Sequence, residues 1–437
     1  MLSMQQPSLQ QIRDKLKDIY DDLADNVTHI YGRQDLHLAL DLVYHSPLRF
    51  KYDNELIVKG YPEILIIGDT RTGKTQCAKA LQNHYGVGVI AGGESMSFAG
   101  LVGGLQQLGT HWSCTWGKIP QNNRRLVIID EAGGMSQEDI ANMSSIRSEG
   151  RAEITKIQSQ ETEAFTRLIW LSNPRFSMTV NEYSSGIDVI ESLVRFPEDI
   201  ARWDMAIIVS KDEIRFSKMA TRNRELVPHV YNSDLCKNLV LWSWTREVNE
   251  IKITQEAEDA CYEMAEKMCG KYCTDFTLVN DAEQRKKIIR LSTALASRLY
   301  STIDGKTLIV HKNHVIYIGE YLNRIYDGPY FKYDQWSINQ TAGRKIRNEA
   351  EVFEFCKSIG KWGCGKFHEQ RTLTLQDIEN YLGITHDEAK SKLSKLLLNN
   401  AMTKARGKGN FYTKNPAFND MLAKYAKELP DKIEEEF

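Results

Sequence analysis

Gly68 to Thr75 reads GDTRTGKT and fits the spacing G-x-x-x-x-G-K-[ST] in full. The stretch follows the apolar run EILIIGD and precedes QCAKALQNHYG, a segment of helical character. A glycine-rich loop between a strand and a helix is suited to phosphate, because glycines let backbone N–H groups close around it and the helix N-terminus adds a positive field. The expected nucleotide-binding stretch is therefore Gly68, Asp69, Thr70, Arg71, Thr72, Gly73, Lys74, Thr75 and Gln76. Lys74 supplies a point charge at the outer phosphates, and Thr75 offers a hydroxyl to Mg²⁺. A second element, RLVIIDE, is an apolar strand that ends in Asp130 and Glu131. Asp130 would hold Mg²⁺ through water, and Glu131 would orient and deprotonate the water that attacks a γ-phosphate. An acidic pair at a strand end is otherwise a solvated turn; paired with a phosphate loop it becomes the hydrolysis site of an ATPase. A third strand, TRLIWLSNPR, ends in Asn173, whose amide would position the lytic water and which also reads as an Asn-Pro turn. The ligands implied are ATP and Mg²⁺.

These residues need a sheet to hold them. From Glu63 to about Val209, short apolar runs (EILIIGD, VGVIAGG, RLVIIDE, RLIWLSN, MAIIVS) alternate with polar or helical segments, the pattern of a parallel α/β sheet with crossover helices. Gln10 to Leu23 and Arg33 to Val43 carry helical periodicity, and Asp234 to Tyr300 reads as an all-helical lid. The expected division is a helical extension (1–26), an α/β core (27–230), a lid (231–330), a linker (331–347), a last small domain (348–420) and an acidic tail (421–437).

Hydrophobic residues make up 42% of the chain and charged residues 26%, an ordinary globular balance that argues against disorder. No run approaches the roughly 18 to 20 apolar residues of a membrane span, and the amino terminus carries no apolar signal region. A cytoplasmic protein without a membrane partner is expected. The eight cysteines are scattered and form no CxxC pair, which suits reduced thiols. Cys269 and Cys273, four apart, read as buried small hydrophobes or, alternatively, as a metal grip. With a net charge of only −2, any nucleic-acid partner must be met by local basic patches.

The motifs occur in an order that resembles the AAA+ motor of MCM-type replicative helicases. IYGRQDLHLAL (Ile30 to Leu40) is similar to the opening segment of that family. GDTRTGKTQ, then SFAGLVGGLQQLGTHWSCTWGKIPQ (the helix-2 insert) and IIDEAGGM follow. EITKIQSQ resembles the presensor-1 hairpin, SNP the sensor-1 strand end, IARWDMAIIVSKDE the arginine-finger segment and QRKKIIRLSTALAS the sensor-2 helix. The resemblance runs from Val27 to Ile325. It implies a homohexameric DNA helicase of replication that hydrolyses ATP at subunit interfaces, with single-stranded DNA in a central pore. Asp130 and Glu131 would form the Walker B pair, Asn173 would be sensor 1, and Arg202 the finger reaching into a neighbour, with Arg195 as its rival. Arg290 would be sensor 2, with Arg285 as the alternative. Lys156, in the hairpin, would follow the DNA backbone by charge.

Residues Asn348 to Phe418 have the order of a winged helix, with TLQDIENYLG and THDEAKSKLSKLLLNN as the helix pair and KARGKGNFYTK as the wing. Lys404, Arg406, Lys408 and Lys414 cluster on that wing and suit phosphate contacts. The chain has no room for the amino-terminal OB-fold region of the family, which implies a fragment or a compact form such as mobile elements and prophages encode. Two other functions fit parts of the pattern: a protein remodeller similar to MoxR-type chaperones or chelatase subunits, and an ATP-switched DNA-binding initiator.

Overall fold

Five apolar runs become the strands of one parallel sheet: β1 (Ile64–Gly68), β2 (Val89–Gly92), β3 (Leu126–Asp130), β4 (Arg167–Ser172) and β5 (Met205–Val209), in the order β5-β1-β4-β3-β2. Ile64 of β1 pairs with both Met205 of β5 and Ile169 of β4, and Leu126 of β3 pairs with Arg167 of β4. Every residue of β1, β3 and β4 is buried, as strands covered on both faces require; this is why they read as continuous apolar runs. The computed structural model describes residues 6–92, 97–108, 111–155, 159–176, 178–213, 228–272, 277–344, 346, 348–370, 372–404 and 411–429. They fall into two units, Met1–Trp336 and Ser337–Phe437.

In the first unit, α1 (Leu9–Leu23), α2 (Gln34–Tyr44) and α3 (Lys74–Tyr85) pack with the sheet into one core. The lid follows with α4 (Ser233–Trp244), α5 (Gln255–Tyr272), α6 (Gln284–Arg298) and α7 (Lys312–Tyr326). It is not purely helical: Ile251–Ile253 and Leu308–Val310 pair as a short parallel ladder. Runs of three residues are too short to show a period of two, and this pairing joins segments far apart in sequence.

A buried charge pair fastens lid to core. Asp41 of α2 accepts from Arg298 Nε of α6 at 2.6 Å and from the Tyr85 hydroxyl of α3 at 2.5 Å, and Asp41 and Arg298 are both 0% exposed. Burial alone would raise the Asp41 carboxyl; the Arg298 guanidinium holds it below its ordinary value. A depressed carboxylate contributes stability above its unfolded pKa of about 3.9 and loses it as pH falls through the lower folded value. Asp41→Asn, which leaves the Arg298 charge buried without a counterion, is expected to cost about 3–5 kcal/mol. Chemical denaturation at pH 7 and pH 3 checks both points: the gap between wild type and variant should narrow at the acid end.

Two antiparallel hairpins project from the sheet connections, Gly103–Leu108 with His111–Trp116 and Arg151–Thr155 with Ser159–Glu163. The root of the first packs against the second near its turn, since a Cβ on Gly103 would lie 2.8 Å from Ile154 Cδ1. The second hairpin is the one that resembles the presensor hairpin; Lys156 lies outside the described residues, between strands paired at Thr155 and Ser159.

The second unit has its own core. Its order is helix Glu349–Glu369, strand Thr372–Thr374, helices Leu375–Leu382 and His386–Leu398, strands Met402–Lys404 and Phe411–Lys414, and helix Pro416–Glu428, with the last strand central in a three-stranded sheet. The first helix breaks at Gly360, whose φ of 66° ends EAEVFEFCKSI where its periodicity ends. Two expectations change. Helix Tyr333–Arg344 runs through the expected linker, and helix Pro416–Glu428 takes up the start of the expected acidic tail. Among the expected wing cations, Lys414 donates its ammonium to the carbonyls of Phe367 and His368, so it closes a helix end and does not face a phosphate. Arg406 and Lys408 lie outside the described residues, as does the side chain of Lys404.

Candidate nucleotide site

The site lies at the carboxyl ends of β1, β3 and β4. After β1 the chain turns through the loop, and Gly73, at φ 87°, caps α3. A Cβ there would also crowd Ile30 Cδ1 at 3.0 Å, so the position needs glycine on both counts. A cleft of about 650 Å³ opens above the loop. Thr70, Arg71, Thr72, Gly73, Lys74, Thr75 and Gln76 line it from below, and Asp130, Glu131 and Asn173 from the side.

Lys74 is folded into the loop. Its ammonium donates to the Gly68 and Asp69 carbonyls, each at 2.7 Å, to Thr72 Oγ1 at 3.2 Å and to Asn173 Oδ1 at 3.2 Å. Burial pushes it down to about 8, against the pull of Asp69 and Asp130. A cation desolvated in this way is set to take an anion, and phosphate oxygens would stabilise its charged form and raise its pKa again. The Thr75 hydroxyl donates to Asp130 Oδ1 at 2.8 Å. Hydroxyl and carboxylate oxygens thus converge beside the lysine, the hard-oxygen donor set that suits Mg²⁺ held mainly by phosphates and water. Among the described residues no group of three or more His, Cys, Asp or Glu is placed to hold a metal ion. Glu131 leaves β3 in a left-handed conformation, φ 57°, and its exposed side chain borders the cleft. A non-glycine residue held there stores about 1–3 kcal/mol, a strain that turns a strand-end carboxylate outward.

Two loop residues depart from expectation. Gly68 and Asp69 lie behind the cleft and do not line it. The Asp69 carboxylate accepts from Val180 N at 2.9 Å and Lys211 N at 3.0 Å, and its own N–H donates to Val209 O at 3.1 Å. It is a staple between the loop and β5. Gly68 is required by packing instead, since a Cβ there would lie 2.1 Å from Val209 O. The sequence reading overlooked His29, Ile30, Tyr31, Arg33 and Lys79, which also line the cleft. Four of these sit in or beside the IYG segment, and its collinearity with the loop was the available signal.

The arginines do not join them. Arg202 ends a short 3₁₀ helix, Pro197–Arg202, just before β5. Because Met205 pairs with Ile64, Arg202 sits at the amino end of the sheet, and β1 alone spans about 13 Å from there to the loop. Arg195 is exposed, with its guanidinium over the Phe196 ring, and does not line the cleft either. Arg290 does not line the cleft either: its guanidinium donates to Asp204 Oδ1 at 2.7 Å and to the Lys59 carbonyl at 2.8 Å, holding α6 to the sheet. Arg285, one and a half turns earlier on α6, keeps 40% side-chain exposure, stands 3.6 Å from Asp53 and lies over the Tyr262 ring.

A five-stranded parallel sheet carrying this loop and a strand-end acidic pair defines a P-loop nucleotide-binding domain. Residues 5–232 match the model of the MCM P-loop domain family, and the chain belongs to that family. Among relatives, it is 25% identical over 228 residues to DNA replication licensing factor mcm5-A of Xenopus laevis, covering 50% of this chain and 29% of that protein. It is 24% identical over 303 residues to the minichromosome maintenance protein MCM of Saccharolobus solfataricus, covering 65% of this chain and 43% of that protein. The chain thus spans less than half the length of these relatives.

Proposed function

We propose that the chain is an ATP-hydrolysing motor of an MCM-like DNA helicase of replication, working as a homohexameric ring. The observation that carries the reading is the incomplete site. Lys74, Thr75, Asp130, Glu131 and Asn173 share one cleft, whereas Arg202 lies across the sheet from it; the cleft's own arginines are Arg71 of the loop and Arg33, which is paired with Glu213, and in this reading the arginine that meets transition-state charge comes from a neighbour. A smaller recess bounded by Glu131, Asn173, Arg175 and Phe176 opens beside the carboxylate and gives that arginine a way in. In this reading Thr75 and Asp130 would hold Mg²⁺ together with the phosphates, and the cation would supply charge neutralisation at the transferred group. Glu131 takes the proton of the attacking water, Asn173 orients that water, and Arg202 acts in trans. With Arg290 engaged, Arg285 becomes the better sensor-2 candidate. Lys156, which falls in sequence between the paired residues Thr155 and Ser159, would follow a DNA strand in the ring's pore through its charge. The element order and sheet pairing of the second unit support reading it as a winged helix, with Lys404, Arg406 and Lys408 as candidate phosphate contacts.

ATP turnover with and without single-stranded DNA tests the reading. Stimulation by DNA is expected in the wild type and is expected to weaken in Lys156→Ala without loss of basal turnover. Turnover indifferent to DNA would move the function to protein remodelling.

A further inference from the structure

Beneath the sheet's amino end lies a group of charges that the nucleotide cleft does not use. Glu63, 0% exposed, accepts from Arg147 Nε at 2.6 Å, Lys59 Nζ at 2.9 Å and Trp170 Nε1 at 3.0 Å. Burial alone would raise its carboxyl; Arg147 and Lys59 hold it below its ordinary value, so the group is charged. Arg147 packs against aromatic rings, with its guanidinium 4.3 Å from the Trp203 ring and 5.3 Å from the Trp170 ring. Its Nη2 donates to the Asp199 carbonyl at 3.2 Å, and its Nη1 stands 3.9 Å from Asp199 Oδ1. Asp199 Oδ1 in turn accepts from Arg202 Nε at 3.3 Å.

The two ends of this chain of contacts matter. Arg147 belongs to helix Ser144–Glu149, and only Gly150 separates that helix from the Arg151–Glu163 hairpin. The joint is stiff: Gly150, at φ 70°, would push a Cβ to 2.4 Å from the Phe165 ring, and Ala164 N donates back to Gly150 O at 2.7 Å. At the other end, Asp199 holds Arg202 by Nε alone, so the two Nη groups have no partner among the described residues and the side chain is 28% exposed. One link is open, since Arg147 Nη1 and Asp199 Oδ2 are buried without hydrogen-bond partners. Buried polar atoms left unpaired are costly, and a small shift of helix Ser144–Glu149 that paired them would be favoured.

We propose that Glu63, Arg147 and Asp199 are positioning residues that aim Arg202 outward at a neighbouring subunit and tie its placement to the root of the Arg151–Glu163 hairpin. The inference rests on the reading of Arg202 as the finger in trans. Glu63 anchors Arg147, Arg147 registers the hairpin, and Asp199 passes that register to the stem of Arg202. A displaced hairpin therefore reaches the next subunit's hydrolysis site through three side chains, not through the sheet.

The test is ATP turnover at saturating single-stranded oligo-dT for wild type, Asp199→Asn, Arg202→Ala and the double variant. An arginine that acts only in the transition state affects kcat and leaves KM alone. Asp199→Asn is expected to lower kcat by about tenfold with KM for ATP unchanged, and to add nothing to Arg202→Ala. Losses that add, or an Asp199→Asn kcat equal to wild type beside an inactive Arg202→Ala, would overturn the relay and leave the finger standing. Full turnover in Arg202→Ala would overturn both. Should Asp199→Asn not fold, Arg147→Lys, which keeps a cation beside Glu63, carries the test. Its ratio of DNA-stimulated to basal turnover is expected to fall toward one, and an unchanged ratio would overturn the proposal.

Discussion

Glu131→Gln is expected to reduce ATP turnover by roughly 10²- to 10⁴-fold while leaving ATP binding intact, the loss that follows removal of a general base. The residue sits at the end of β3 in a left-handed conformation that sends it to the border of the cleft. Its neighbour Asp130 already accepts from Thr75, at 2.8 Å, and so belongs to the cation side. The amide is nearly the same size, keeps the turn and lacks only a basic oxygen. Fluorescent nucleotide titration should therefore give a wild-type Kd beside a negligible steady-state rate. A variant that hydrolyses normally would remove Glu131 from the mechanism.

The second large effect is expected of Arg202→Ala, about 10³- to 10⁵-fold in turnover, the range for an arginine that meets developing phosphoryl charge. Its distinctive test is complementation. In a mixed ring, an Arg202→Ala subunit offers an intact cleft and a Glu131→Gln subunit an intact arginine, so interfaces between them are whole. Mixing two inactive proteins should restore activity. Restoration is impossible if the arginine serves its own cleft, and the position of Arg202 at the amino end of β5 already argues against that arrangement.

The parts of the site that were legible in the sequence are those written as local strings. β1 and β3 lead directly into GDTRTGKT and DE, and burial on both faces made β1, β3 and β4 conspicuous as apolar runs. A motif gives positions, however, and not side-chain directions. Asp69 was included as a loop residue, but its carboxylate turns back to Val180 and Lys211. The family resemblance points to Arg290 in IIRLS, with Arg285 as alternative, and only tertiary packing shows Asp204 and the Lys59 carbonyl beside Arg290. The Glu63 group was illegible for the same reason, because Glu63, Arg147 and Asp199 come from three distant segments and each alone is an ordinary charged residue. The short lid strands at Ile251–Ile253 and Leu308–Val310 carried too few residues to announce a period.

The proposed coupling of hydrolysis to DNA is tested most directly by strand displacement on a labelled forked duplex. Wild type with ATP and Mg²⁺ is expected to release the labelled strand, whereas Glu131→Gln with ATP, and wild type with a non-hydrolysable ATP analogue, should bind the fork and release nothing. Release that is equal in all three would mean that binding alone melts the duplex. No release by a wild type that hydrolyses ATP would contradict the motor itself.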